Sequence, residues 1–259
     1  MNIPFYKYQG TGNDFVLIDN RHLIIPSSDT KLIAQLCDRH FGIGADGVIL
    51  LETSEKHDFY MRYFNADGKE GTMCGNGGRC VVAFAHKLGI IENETQFDAI
   101  DGLHKANISQ DMVNLQLSDV QEVTLFSSHS FLDTGSPHHV TLVENVSDFP
   151  VYNQGKKIRY EAPYYSKGSN VNFVEQVSED TFKMRTYERG VEDETLSCGT
   201  GATAVALAMY AQKKTTKKTV YLDTLGGELI VSFIATDKGF SSIYLKGKAT
   251  CVFEGTIAI

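Results

Sequence analysis

No stretch of this 259-residue chain approaches the roughly 20 consecutive apolar residues that a membrane-crossing helix needs. The N-terminal MNIPFYKYQGTGNDF lacks a charged segment running into a long apolar one, so no secretory signal is expected there. Clustered positive charge is equally scarce. Net charge is −8, and the short run Lys213, Lys214, Lys217, Lys218 carries no interleaved aromatics, which argues against a nucleic-acid partner. Only five prolines stand against 23 glycines, and 42% hydrophobic with 22% charged content describes a folded globular chain rich in turns. These absences leave a cytoplasmic protein that needs neither membrane nor nucleic acid.

Cysteine is also sparse, five residues at positions 37, 74, 80, 198 and 251, an odd number that makes no disulfide framework in a chain of this length. Reduced thiols are expected. The Cys74–Cys80 spacing has no second cysteine pair or ordered histidine pair with it, so no metal site is expected. Cofactor signatures are missing as well. GTGNDF lacks the strand-and-helix setting of a dinucleotide fingerprint, no phosphate loop occurs, and no lysine stands in an evident pyridoxal phosphate motif.

What is present is a repeat. Thr11-Gly12-Asn13 is answered by Thr134-Gly135-Ser136, 123 positions later, and the same offset carries Val48 onto Val171, Glu52 onto Glu175, Phe59 onto Phe182, Met61 onto Met184 and Arg62 onto Arg185. One inserted residue then carries Cys74-Gly75-x-Gly77 onto Cys198-Gly199-x-Gly201, Val81 onto Val205 and Gly102 onto Gly226. Each copy reads as strands, a glycine-rich turn at the cysteine, a helix, then a hairpin of strands. Strands are expected at 15–19, 47–52, 59–64, 113–117, 172–175 and 228–234. Buried helices are expected after Cys74 and after Cys198, the second ending in Lys213 and Lys214, which complement its dipole. The fold class is α+β, two pseudo-symmetric duplicated domains of about 125 residues, each a curved, mostly antiparallel sheet wrapped around a central helix. The expected halves are 1–122, joined by a C-terminal strand at 250–259, and 123–249.

An isolated cysteine in an apolar sequence is usually a small buried hydrophobe, and Cys37, Cys80 and Cys251 read that way. Cys74 and Cys198 differ, since each opens a Cys-Gly-x-Gly at a helix start where backbone N–H groups and the helix dipole favour an anion. The glycines let a ligand carboxylate approach the same turn. Two such turns, brought to one substrate by duplication, provide a thiolate to take a proton from one face of a carbon and a thiol to return one to the other. The helix-start donors stabilise the charge that grows on the carboxylate, in place of a cofactor's electron sink.

GTGNDF at 10–15, FNADG at 64–68, MCGNGGRC at 73–80, NVNF at 170–173, ERG at 188–190 and SCGTGAT at 197–203 together resemble the diaminopimelate epimerase family, in the right order and over nearly the whole chain. The resemblance implies interconversion of LL- and meso-2,6-diaminopimelate toward lysine and peptidoglycan, without cofactor, by a homodimer acting on a small-molecule substrate. It further implies that Cys74 and Cys198 are the catalytic pair and that Gly75-Asn76 and Gly199-Thr200 are the cradle at the reacting centre. By the same resemblance Asn13, Asn65, Asn170, Glu188 and Arg189 hold the substrate, and His138 supports the catalytic pair. Two positions depart from the family pattern: Gly47 stands where glutamine is usual, and Ser136 where asparagine is usual. Two alternatives stay open: a racemase or epimerase of another amino acid, proline racemase-like, and a non-catalytic amino-acid-binding protein.

Overall fold

The computed structural model describes residues 2–258 and divides into two compact units, Met1–Leu115 with Gly247–Ile259, and Gln116–Lys246. The first unit opens with β1 (Asn2–Gly10) and β2 (Asn13–Asp19), followed by α1 (Thr30–Cys37), β3 (Gly47–Glu52), β4 (Phe59–Asn65) and the short β5 (Glu70–Gly71). Helix α2 (Gly75–Lys87) and strands β6 (Glu94–Ala99), β7 (Gly102–Ser109) and β8 (Met112–Leu117) follow. The second unit runs β9 (Thr124–Leu125), β10 (Ser130–Asp133), β11 (Pro137–Leu142), α3 (Val151–Tyr160), β12 (Asn170–Gln176), β13 (Thr181–Glu188) and β14 (Asp193–Thr195). Then come α4 (Gly199–Ala211), β15 (Thr219–Thr224), β16 (Gly227–Thr236) and β17 (Gly239–Lys248), before β18 (Thr250–Ala258) returns to the first unit and pairs antiparallel with β1.

The architecture is α+β, and the repeat extends into the pairing. Both units are mostly antiparallel, yet β2–β3 and β4–β6 in the first and β11–β12 and β13–β15 in the second are parallel, each with a helix in its connection. Parallel neighbours require such a crossover, because a tight turn only reverses the chain. Registers correspond too: Phe15 faces Gly47 as His138 faces Asn170.

Strand β3, GVILLE, is buried throughout, because helices lie on both faces of its sheet. Val48 and Leu50 join Val16, Ile18, Ile33 and Leu36 beneath α1, while Ile49 with Phe15 and Met61 meets α2 at Gly77. In the second unit Val171 and Phe173 pack with Val151 of α3, and Val174 packs with α4 residues Ala202 to Met209. The central helices α2 and α4 are thus buried nearly end to end, as expected.

The outer helices α1 and α3 go beyond the expected single helix per half. Helix α4 also differs at its end. It stops at Ala211 with Gln212 as C-cap, and Lys213, in a left-handed conformation, lies past it, so no basic residue stands in the last turn. The chain reverses there in a glycine-like cap in which Lys213 N donates to Tyr210 O and Lys214 N to Met209 O. Cys37 and Cys80 are buried, whereas Cys251 is half-exposed, on a strand whose side chains are exposed or half-exposed throughout. Among the described residues no helix is long and apolar enough to cross a membrane.

Candidate active site

Each central helix is capped by a cysteine. Cys74 is the N-cap of α2 and Cys198 that of α4, both with extended backbone and neither using its side chain as the cap. Ser, Thr, Asp or Asn normally fill that position and spend their side-chain oxygen on the helix amides. Here Cys74 O accepts from Gly78 N at 2.6 Å and Cys198 O from Ala202 N at 2.8 Å, so the first-turn amides point out of the helix beside the sulfur.

In the first unit, Thr11 and Gly12 both adopt positive φ between Gly10 and Asn13, the left-handed pair that makes a two-residue hairpin turn. That turn delivers Asn13 to the cysteine. Its Oδ1 accepts from Cys74 Sγ at 3.8 Å and from Asn76 Nδ2 at 3.2 Å, and its Nδ2 donates to Asp46 Oδ2 at 2.6 Å. Arg39 in turn bridges Asp46 and Asp14, and Lys7 bonds both Asp14 and Gly44 O. Burial alone would raise the Asp14 carboxyl, but the Arg39 and Lys7 contacts outweigh it and hold it at about 2. Asn13 is therefore fixed in orientation by a charged network, although sequence reasoning singled out neither Asp46 nor Arg39.

Asn65 belongs to a neighbouring group, in which Tyr63 Oη donates to Asn65 Oδ1 at 3.0 Å. The Tyr63 ring explains Gly47. A β-carbon at 47 would lie 2.7 Å from that ring and 2.5 Å from Phe64 O, so the glutamine usual in the family has no room here. Gly47→Gln is expected to destabilise the fold by about 1–3 kcal/mol in urea unfolding; native-like stability would show that the strand yields more easily than its spacing implies.

A further residue of this unit went unremarked in sequence. Arg79 is fully buried in α2, donating to Thr11 Oγ1 at 3.0 Å and to Gly75 O at 3.4 Å, with no carboxylate paired to it among the described residues. It ties the β1–β2 turn to the start of α2. Its counterpart by the repeat, Thr203, donates to Gly199 O at 3.0 Å.

In the second unit the turn at Gly135 brings Ser136 against α4, Thr134 Oγ1 donating to Thr200 O at 2.9 Å. Thr200 Oγ1 lies 3.5 Å from Cys198 Sγ. Asn170 joins this group: its Nδ2 donates to Ser136 Oγ and Pro137 O, and its Oδ1 accepts Arg189 N at 2.8 Å. Arg189 is exposed, with one guanidinium N–H spent on Lys167 O at 3.1 Å, and Glu188 accepts Thr195 Oγ1 at 3.0 Å. His138 is wholly buried beneath Ser136. Burial, and after it the charge of Arg189, push its imidazole down to about 3, so the ring is neutral. Asn172 and Thr186 complete the group beneath, unforeseen except that NVNF places both its asparagines on one face of β12. The offset of 123 also relates Asn13 to Ser136 and Asn65 to Glu188, so the candidate residues of the two units stand at matching positions.

A family model described as diaminopimelate epimerase matches residues 5–124 and 130–252. Curated relatives bear the same name, among them two that match nearly the whole chain. One, from Flavobacterium psychrophilum, is 58% identical over 256 residues, covering 98% of this chain and 100% of the relative. The other, from Aquifex aeolicus, is 41% identical over 275 residues, covering 99% and 98%. Among solved structures, a Bacillus anthracis phenazine biosynthesis protein of the PhzF family is similar at TM-score 0.79 and 16% identity, covering 100% of both chains. A hydroxyproline epimerase from Agrobacterium vitis, with bound trans-4-hydroxy-L-proline, is similar at TM-score 0.69 and 15% identity, covering 100% of this chain and 93% of that one. At such identities these two structures speak for the fold.

Proposed function

The chain belongs to the diaminopimelate epimerase family, and on that premise we propose that it interconverts LL- and meso-2,6-diaminopimelate with Cys74 and Cys198 as a thiol–thiolate pair. The observation that carries this reading is the matched N-cap cysteines, each heading a buried helix whose first residue is glycine. A thiolate takes the proton from the substrate α-carbon. The electron pair left behind spreads into the adjacent carboxylate, whose growing charge is met by the amides at Gly75-Asn76 and Gly199-Thr200. The other thiol then gives its proton to the opposite face, and the two sulfurs have exchanged protonation states. Asn13, Asn65, Asn170, Glu188 and Arg189 hold the substrate, and the mechanism needs no cofactor. The working halves are residues 1–122 with 250–259 and residues 123–249. The enzyme acts as a cytoplasmic homodimer, in the supply of lysine and peptidoglycan precursors.

Turnover in deuterated water tests this directly. Deuterium is expected at the α-carbon of diaminopimelate, with both stereoisomers formed. Unlabelled substrate would make the chain a binding protein, and labelling of proline but not of diaminopimelate would move it to the racemase alternative.

A further inference from the structure

The hydrogen-bond chains that reach the two cysteines run in opposite directions in the two units. In the second unit three backbone groups set the pattern. Asn172 Nδ2 donates to His139 O at 2.9 Å, so the amide nitrogen, not the oxygen, faces His138 Nδ1 at 3.2 Å. The neutral ring therefore accepts at Nδ1 and carries its proton on Nε2, 3.0 Å from Ser136 Oγ. Asn170 is fixed likewise. Its Nδ2 bonds Pro137 O and its Oδ1 accepts Arg189 N, which leaves the second amide hydrogen for Ser136 Oγ at 3.1 Å. Ser136 Oγ thus accepts twice, and its own proton goes to Thr200 Oγ1 at 3.4 Å. Thr200, accepting that bond, has its hydroxyl proton left for Cys198 Sγ at 3.5 Å.

The first unit runs the other way. Asp46 can only accept as a carboxylate, so Asn13 turns its Nδ2 to Asp46 and its carbonyl oxygen to Cys74, which must donate S–H. We propose that Ser136 is a positioning residue which, through Thr200, presents a hydroxyl donor to Cys198, so that in the empty enzyme Cys198 is the thiolate and Cys74 the thiol. This rests on the two-thiol reading and adds its starting polarity. Serine is essential to it, because a hydroxyl that accepts twice still has one proton to pass on.

The charged groups around each sulfur bear on the same balance. Near Cys74, Asp46 holds Asn13 and Asp101 accepts Met73 N at 3.3 Å, both favouring the neutral thiol, while buried Arg79 in α2 opposes them; the buried Cys80 thiol, pushed up to about 12, stays neutral. On the Cys198 side, His138 on β11 is neutral, Glu188 on β13 accepts from Thr195, and the Arg189 backbone N–H is spent on Asn170.

The test is the pH profile of alkylation by iodoacetamide, read separately at Cys74 and Cys198 by peptide mass mapping of the same sample. In the native protein Cys198 is expected to react with the lower midpoint. Ser136→Ala is expected to raise that midpoint by up to about one pH unit, because Thr200, no longer holding a donor at its Oγ1, is free to turn its own hydroxyl away from the sulfur, leaving Cys74 in place; Ser136→Thr is expected to retain it. Thr200→Val reads the same relay at its last link and decides the matter where Ser136→Ala does not fold. A lower midpoint at Cys74 in the native protein, or an unmoved Cys198 in the variants, would overturn the proposal. Since the readout is ionisation, not turnover, it stands apart from the deuterium experiment on which the two-thiol reading depends.

Discussion

Cys74→Ala and Cys198→Ala are each expected to lower epimerisation about 10²–10⁴-fold or more, the range lost with a general acid or base. The reason is geometric: one remaining thiol serves one face of the α-carbon, and inversion needs both. A sharper signature follows. Each variant is expected to exchange the α-proton of only one stereoisomer with deuterated water, returning the label to the face it came from. Cys80→Ala is the internal control. Its thiol lies one helical turn and more into α2, fully buried, and burial pushes it up to about 12, so it offers no base near neutral pH. Its loss removes a buried sulfur and costs stability without touching chemistry. Circular dichroism separates unfolding from loss of function in all three. An active Cys198→Ala enzyme would end the two-base mechanism, and a folded, inactive Cys80→Ala protein would mean that the wrong cysteine had been chosen.

The cysteine pair was legible because a short motif and a long repeat agreed on it. Cys-Gly-x-Gly marks a helix start, and its recurrence at a nearly constant offset marks two equivalent sites; both cysteines stand as N-caps. The central helices were equally plain, being small, apolar and closed by Gly89 or by lysines. The outer helices left weaker traces. Helix α1 is eight residues long, with Asp29 as cap and apolar Ile33, Leu36 and Cys37 on its buried side, a span short enough to pass for a loop. Helix α3 carries Gly155 in its middle, which lowers helix propensity. That glycine is required, because a β-carbon there would lie 2.3 Å from Tyr187.

What composition and motifs do not carry is the supporting layer. Asp46 and Asn172 act through contacts whose partners are distant in sequence, Asn13 being 33 positions from Asp46 and His138 34 from Asn172. Only strand register joins them. The same holds for Gly47: the missing glutamine was visible, but the tyrosine that fills its place sits on the adjacent strand.

Arg189→Ala is expected to raise KM for diaminopimelate about 10–100-fold while kcat stays near native, since a charge-assisted contact is worth about 1.5–3 kcal/mol and each 1.4 kcal/mol is tenfold. The backbone and the side chain of this residue make separate contacts. Its backbone N–H, bound to Asn170 Oδ1 at 2.8 Å, helps hold the asparagine whose Nδ2 bonds Ser136, and alanine preserves that bond. Its side chain is exposed and spends one N–H on Lys167 O, leaving a planar fork suited to the carboxylate at the far end of the substrate. A contact remote from the reacting carbon is made equally in the ground and transition states, so its loss falls on binding. Thermal stability is expected to change little, because the removed group is solvated. Arg189→Lys keeps the charge but not the two-pronged geometry, and is expected to recover only part of the affinity. Steady-state kinetics over a range of diaminopimelate concentrations reads all three proteins. An unchanged KM in Arg189→Ala, or native activity on an amino acid with no distal carboxylate equal to that on diaminopimelate, would show that this arginine does not select the substrate.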